Sequence, residues 1–308
     1  MTTEILTRLV LHDPTPAGDD IAAWWNATAA LRARFSRSIE RALVTALVAP
    51  TPGAAFLAGY HAAMGALVPA LGGDHRAALC ATEDGGAHPR TIETRLVETD
   101  GGYTLDGVKR FVTGGRDADV LVVLANAGVT EDGRNRLALV TVPSRTDGVT
   151  FDDMPELPFV PDVSHTSVRF DGVRVGADAR LPGDGWTDYV KPFRTVEDLH
   201  VQAAVTAWLV AVVRRSESDR GLVERLVAHA ASLTALADTD RESPATHVAL
   251  AGAFVNLQAI LDAMDAWWKV APAGLRAMWE RDRRLLRVAS NARAQRLERA
   301  WTLLAARA

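Results

Sequence analysis

A single cysteine, Cys80, in a chain of 308 residues leaves no internal disulfide framework and no four-cysteine zinc site, and it fits a reducing cytoplasm. An excess of positive charge is missing too. With 34 Lys and Arg against 38 Asp and Glu, the net charge is −4 and the basic residues are scattered, so the field that phosphate-backbone binding needs is absent and nucleic acid is not expected as a partner. No run of eighteen apolar residues occurs, and Met1-Thr2-Thr3-Glu4 opens no basic-then-apolar leader, so neither a membrane span nor export is expected. The glycine-rich phosphate loop, the dinucleotide fingerprint, the serine elbow and the zincin helix are all missing, which argues against those four chemistries. The eight histidines never fall at metal-ligand spacing, and no metal is expected. His61 and His229 read as polar or half-buried helix residues, and Cys80 as a small buried hydrophobe with nothing cationic beside it in sequence to activate the thiol.

What is present is the composition of an ordinary globular chain, 48% hydrophobic and 23% charged, in which the pattern changes twice. From Asp20 to about Ala70, apolar residues such as Ile39, Leu43 and Leu47 recur at helical spacing, broken at Pro50-Thr51-Pro52-Gly53. From about Ala77 to Arg180 the chain becomes short β-branched runs at 92–98, 103–113, 120–125, 137–142 and 167–175, jointed by Asp-Gly turns such as Asp106-Gly107 and Asp171-Gly172. After Leu181-Pro182-Gly183 the helical period returns over 195–215, 221–237, 244–269 and 272–304. The reading is α+β in three domains: helical over 1–76, antiparallel β over 77–180, and a helical bundle over 181–308.

Two strings in the β region stand out. One is Thr82-Glu83-Asp84-Gly85-Gly86-Ala87-His88-Pro89 at the end of a strand; the other runs from Asp106-Gly107-Val108-Lys109-Arg110-Phe111-Val112-Thr113 to Asp119. With Val168-Arg169-Phe170-Asp171-Gly172-Val173-Arg174-Val175, they resemble the middle domain of the acyl-CoA dehydrogenase superfamily, within a chain of that family's helical, β, helical order.

The resemblance implies FAD and the α,β-dehydrogenation of an acyl-CoA thioester, with electrons passing to an acceptor the sequence does not name. An isoalloxazine ring is a flat apolar plate with a hydrogen-bonding rim, and it needs an aromatic wall and short polar donors. On the family's pattern Phe111 supplies the wall, Thr113 the hydroxyl near N5 with Val112 beside it, and Ala81 and Thr82 the contacts to the pyrimidine edge; His88 stands where the family's substrate-contacting serine would be. The family's usual catalytic Glu-Gly-Thr string is missing. In isovaleryl- and long-chain relatives the base lies on the first bundle helix, and the corresponding candidate here is Glu197, with Asp198 as substitute and His200 as a hydrogen-bond partner. The alternative for both acids is a first-turn placement after Thr195, where the helix dipole favours negative charge. Two other readings stay open: a flavin-dependent oxidase or monooxygenase of the same fold, and a shortened non-catalytic paralogue acting as an interaction subunit. Paired tryptophans, Trp24-Trp25 and Trp267-Trp268, cannot both face one helix's own core, which suggests a neighbouring domain or a homo-oligomer, as a dimer.

Overall fold

In the computed structural model of the chain, the described residues are 1–72, 74–216 and 219–306. The chain divides into two compact units. The helical unit joins residues 1–66 and 195–308 with a short segment, 158–162, and the β unit comprises 67–157 and 163–194. The terminal helical regions are therefore one body, because each alone exposes an apolar face that the other covers.

Five helices open the helical unit: α1 (Thr3–Leu11), α2 (Ile21–Ala27), α3 (Ala29–Arg34), α4 (Ser38–Ala46) and α5 (Pro52–Leu67). The first lies outside the expected helical stretch; Thr2 caps it by accepting the Ile5 N–H at 3.4 Å, and Ile5 and Leu9 bury its apolar side. α5 begins at the expected break, with Thr51 accepting from the Ala54 N–H at 3.0 Å. The remaining helices are α6 (Lys191–Arg215), α7 (Arg220–Leu236), α8 (Pro244–Ala263), α9 (Asp265–Val270), α10 (Ala273–Asp282) and α11 (Ser290–Ala305), with a 3-10 turn over Arg283–Arg287.

α6 is the core of this unit, buried without interruption from Val201 to Val213. α5 crosses it so closely at Gly59 that an added Cβ would sit 2.5 Å from the Val201 Cα, a contact only glycine permits. By mean hydropathy the helical stretches Gly185–Arg215 and Pro244–Val270, at 1.4 and 1.3, are long and apolar enough to cross a membrane; the first is 94% buried over its apolar window and is accounted for as the core helix, whereas the second is only 33% buried. All four paired tryptophans are covered within this unit, none more than 6% exposed. Trp25 packs under the Arg32 guanidinium, 3.5 Å from the ring centre, and Trp268 stacks on Trp279 at 5.4 Å.

The β unit holds seven strands: β1 (Ala77–Cys80), β2 (Arg95–Thr99), β3 (Gly102–Thr113), β4 (Val120–Val129), β5 (Asn135–Pro143), β6 (Val149–Asp153) and β7 (His165–Gly176). Their order is β1-β4-β2-β3-β7-β6, with β5 also paired to β4. Most pairings are antiparallel, as expected, but β1 lies parallel to β4, from Ala77 opposite Val120 to Cys80 opposite Val123. The Arg76–Asp119 pair at 2.8 Å locks that start, so the Asp119 of the second string is an anchor for the sheet. Neither β6 nor the turn before it stood out in the sequence: Val149–Asp153 is short and ends in two acids, and it becomes a strand because β7 pairs antiparallel along it, from Val149 opposite Phe170 to Asp153 opposite Thr166.

Candidate functional site

The two strings that stood out separately are stitched together. Lys109 on β3 is fully buried and its Nζ donates to Glu83 Oε1 at 2.6 Å. Glu83 also accepts the backbone N–H groups of Glu93 at 2.7 Å and Thr94 at 3.1 Å, which draws the entry to β2 into the same knot. Beside it the Arg110 N–H donates to the Thr82 carbonyl at 2.8 Å, and the Arg110 Nε to Asp84 at 2.9 Å. The third string joins through Asp106, which accepts the Gly172 N–H at 2.8 Å. Most of the distinctive polar residues in these strings are therefore structural, each satisfying a group that the folded sheet would otherwise bury unpaired.

Burial, the largest influence on Glu83, opposes its ionised form, but Lys109 and the two backbone donors outweigh it and hold the carboxyl below its ordinary range. For Lys109 burial prevails, lowering its pKa despite Glu83. Cys80 lies within reach of that ammonium, yet burial pushes its thiol up to about 12, so it is inert as expected, for a stronger reason than sequence spacing alone.

This knot presents Phe111. Lys109 pairs with Val168 and Val112 with Thr166, so Arg110 and Phe111 together oppose the single residue Ser167 in a β-bulge. Phe111 takes up the slack at φ +55°, a conformation costly for a branched or aromatic side chain, and its ring stands 61% exposed. Its N–H is turned to the Met154 sulfur at 3.2 Å. Thr113 and Thr82 lie near by in sequence and strand register, half-buried, while Ala81 and Val112 are buried and offer backbone only. An exposed aromatic plate held at a strained backbone angle, flanked by two threonines and strand-end amides, fits the face of an isoalloxazine ring. His88 Nδ1 accepts the Arg90 N–H at 3.2 Å, which caps the 3-10 turn Pro89–Thr91.

The expected acids lie in the helical unit, and neither is in a first turn. A π turn over Gly185–Val190 precedes α6, whose helix starts at Lys191, so Glu197 and Asp198 lie well inside it and the dipole alternative falls away. Asp198 is buried and held by two guanidiniums: Arg293 donates from Nε and Nη2 to Oδ1 at 2.9 and 2.8 Å, and Arg296 Nη2 donates to Oδ2 at 2.5 Å. That carboxylate fastens α11 to α6. Glu197 is half-buried on the same helix. His200, expected beside Glu197, uses both ring nitrogens elsewhere: Nδ1 meets the Val196 carbonyl at 2.7 Å and Nε2 the Ser38 hydroxyl at 2.8 Å. A serine and histidine at this distance have the geometry of a nucleophilic pair, but burial pushes His200 down to about 4 and a carbonyl stands where a carboxylate would stabilise the imidazolium, so the pair is a strut between α4 and α6.

Residues 78–173 match the acyl-CoA dehydrogenase middle domain. The chain is 33% identical over 121 residues to benzylmalonyl-CoA dehydrogenase of Aromatoleum aromaticum (strain DSM 19018 / LMG 30748 / EbN1), a stretch that is 38% of this chain and spans only 31% of that relative. Over nearly its whole length it shares a fold with solved structures: PigA with FAD and proline (TM-score 0.63, 16% identity, 98% of this chain and 94% of that one) and the prolyl acyl carrier protein oxidase AnaB (TM-score 0.60, 15% identity, 89% of each). Residues 78–173 thus carry an acyl-CoA dehydrogenase middle domain, and the chain as a whole shares the fold of these solved structures.

Proposed function

We propose that the chain is an FAD-dependent oxidoreductase that introduces an α,β double bond into an acyl-CoA thioester. The observation that carries this reading is Phe111, exposed and held at φ +55° by the bonds that join the two strings. A bare surface gains nothing from that arrangement, whereas a bound plate covers the ring and offsets the backbone cost. When bound, the flavin supplies acceptance of a hydride from the substrate's β-carbon. The protein's part is to hold it: Phe111 as the wall, the Thr82 and Thr113 hydroxyls at the polar rim, and the backbone of Ala81 and Val112 beside them. Glu197 is the residue we assign to the substrate's α-proton, taken on its carboxylate. With Asp198 committed to two arginines, no other acid of the helix's expected segment serves.

Purified protein should be yellow, or take up added FAD, and an acyl-CoA should bleach it without oxygen. Protein that stays colourless after reconstitution sinks the reading and favours the non-catalytic paralogue. Glu197→Gln should leave the flavin spectrum intact and slow reduction by substrate about a hundredfold. Unchanged reduction would remove Glu197 and favour the oxidase or monooxygenase reading, to which the AnaB likeness lends support; oxygen consumption then becomes the distinguishing measurement.

Self-association belongs to the same reading, and the tryptophan pairs do not supply its surface. α8 does: Ala245, Ala249, Gly252, Val255 and Ala259 are exposed at helical spacing, and no Asp, Glu, Lys or Arg occurs from Pro244 to Leu261. Sedimentation should show a dimer that Gly252→Arg reduces to a monomer; a monomeric wild type refutes it.

A further inference from the structure

The helical unit holds a groove that the flavin reading does not use. It lies between the second half of α8 and the 3-10 turn Arg283–Arg287, a shallow groove of about 60 Å³ open to solvent. Its floor is apolar, formed by Leu257 and Leu261, both buried, and Leu286. Phe254 forms one wall, and the Arg293 guanidinium packs over its ring at 4.1 Å. The rim is cationic, formed by Arg283 and Arg287.

These two arginines differ from the ion-paired ones of the same segment. Arg281 is paired with Asp282, and Arg293 and Arg296 share Asp198, but Arg283 and Arg287 meet no acid among the described residues. The nearest acid of the α8 wall, Asp262, accepts from the Gln258 amide at 2.6 Å, which satisfies it without a guanidinium. The whole chain is acidic, at −4, whereas the segment 273–299 carries eight arginines against Glu280, Asp282 and Glu298. A cationic rim over an apolar floor therefore stands out from the charge of the molecule around it. Small-molecule sites are mostly apolar with a few placed polar groups, which is the make-up of this lining. Two guanidinium forks on one rim suit a doubly charged anion with several acceptor oxygens better than a single carboxylate.

We propose that this groove binds an amphipathic organic phosphate monoester, with its apolar body on Leu257, Leu261 and Leu286 and its phosphate between Arg283 and Arg287. The proposal is independent of the flavin face and of the acyl thioester.

The test uses hexyl phosphate as probe, titrated calorimetrically into the intact chain at about 0.15 M ionic strength. Inorganic phosphate and hexanol serve as its two halves. Hexyl phosphate should bind more tightly than either half, and Arg283→Ala/Arg287→Ala should weaken it about tenfold or more. Arg276→Ala/Arg299→Ala removes the same charge from the same segment away from the groove, and it should leave the affinity within about twofold, because exposed charges beyond a Debye length are screened. Any of four results overturns the proposal. These are no heat with hexyl phosphate, equal affinity for inorganic phosphate, an equal loss in the control variant, or sedimentation showing that the groove variant breaks a dimer. The last would make the groove an interface between copies. Neither arginine pair has a salt bridge to lose among the described residues, so both variants should fold, with unchanged melting temperature as the check.

Discussion

Lys109→Met tests the knot from which the flavin face is built. The methionine keeps most of the side chain's volume and removes only the ammonium. What remains is the Glu83 carboxylate, 7% exposed, with two backbone N–H donors and no counter-charge. Removing one partner of a buried ion pair costs about 3–5 kcal/mol, because the other charge is left in a medium that solvates it poorly. The exposed Asp84–Arg110 pair, where the Asp84 side chain is 82% accessible, should contribute less than about 1 kcal/mol by the same comparison. Glu83→Gln strands the ammonium instead and is costly too, but Lys109→Met/Glu83→Gln leaves no unpaired charge and should cost well under the sum of the single changes. The pH dependence follows from the sign. The Glu83 carboxyl titrates below its ordinary range in the folded chain, so its stabilisation is present above the ordinary carboxylate pKa and is lost as pH falls through the lowered folded value. Urea unfolding gives the global stability, and hydrogen exchange at β3 amides reports the β unit itself. A Lys109→Met protein within about 1 kcal/mol of wild type, with unchanged exchange along β3, would refute the assignment of the pair as the knot's central contact.

Three further outcomes are expected. His200 and His229, both pushed to about 4 by burial, bind protons in the unfolded chain before the folded one as pH falls below about 6.5. Each should therefore remove about 2 kcal/mol of stability between pH 7 and pH 5, and His229→Gln should flatten the pH profile of the melting temperature by roughly half; a flat wild-type profile contradicts this. Phe111→Gly relieves the positive φ and should raise the melting temperature of the FAD-free protein by the equivalent of about 1 kcal/mol while weakening FAD binding in a fluorescence titration. Tighter FAD binding by the glycine variant would mean that the ring does not face the flavin. Asp198→Asn leaves two guanidiniums without their carboxylate and should cost about 3 kcal/mol in thermal unfolding, far more than Glu197→Gln, and a loss below about 1 kcal/mol would show that α11 is held to α6 by other contacts.

Much of the architecture is local information. Helical periodicity placed α4 to α7 to within a few residues and read α8–α9 and α10–α11 as two longer stretches, and β-branched runs jointed by Asp-Gly turns placed β2 to β5 and β7, because side-chain period and turn chemistry are written over short spans. The family resemblance likewise lay in contiguous strings, and all but the last two of those residues, Arg174 and Val175, lie in the matched stretch 78–173. Other features depended on the fold. Glu83 and Lys109 are 26 residues apart and nothing local pairs them; only burial in one low-dielectric spot makes each the other's necessary partner. Asp198 read as a spare base until α11, 95 residues on, brought Arg293 to it, and the helix start moved from Thr195 to Lys191 because the preceding residues wind as a π turn. The paired tryptophans suggested an outside surface, but helices from both ends of the chain form one body around α6 and cover them. Short-range pattern thus determined which elements form and which family they resemble, while the pairing of distant charges, the orientation of Phe111 and the joining of the terminal helices were decided by what the packed structure buries together.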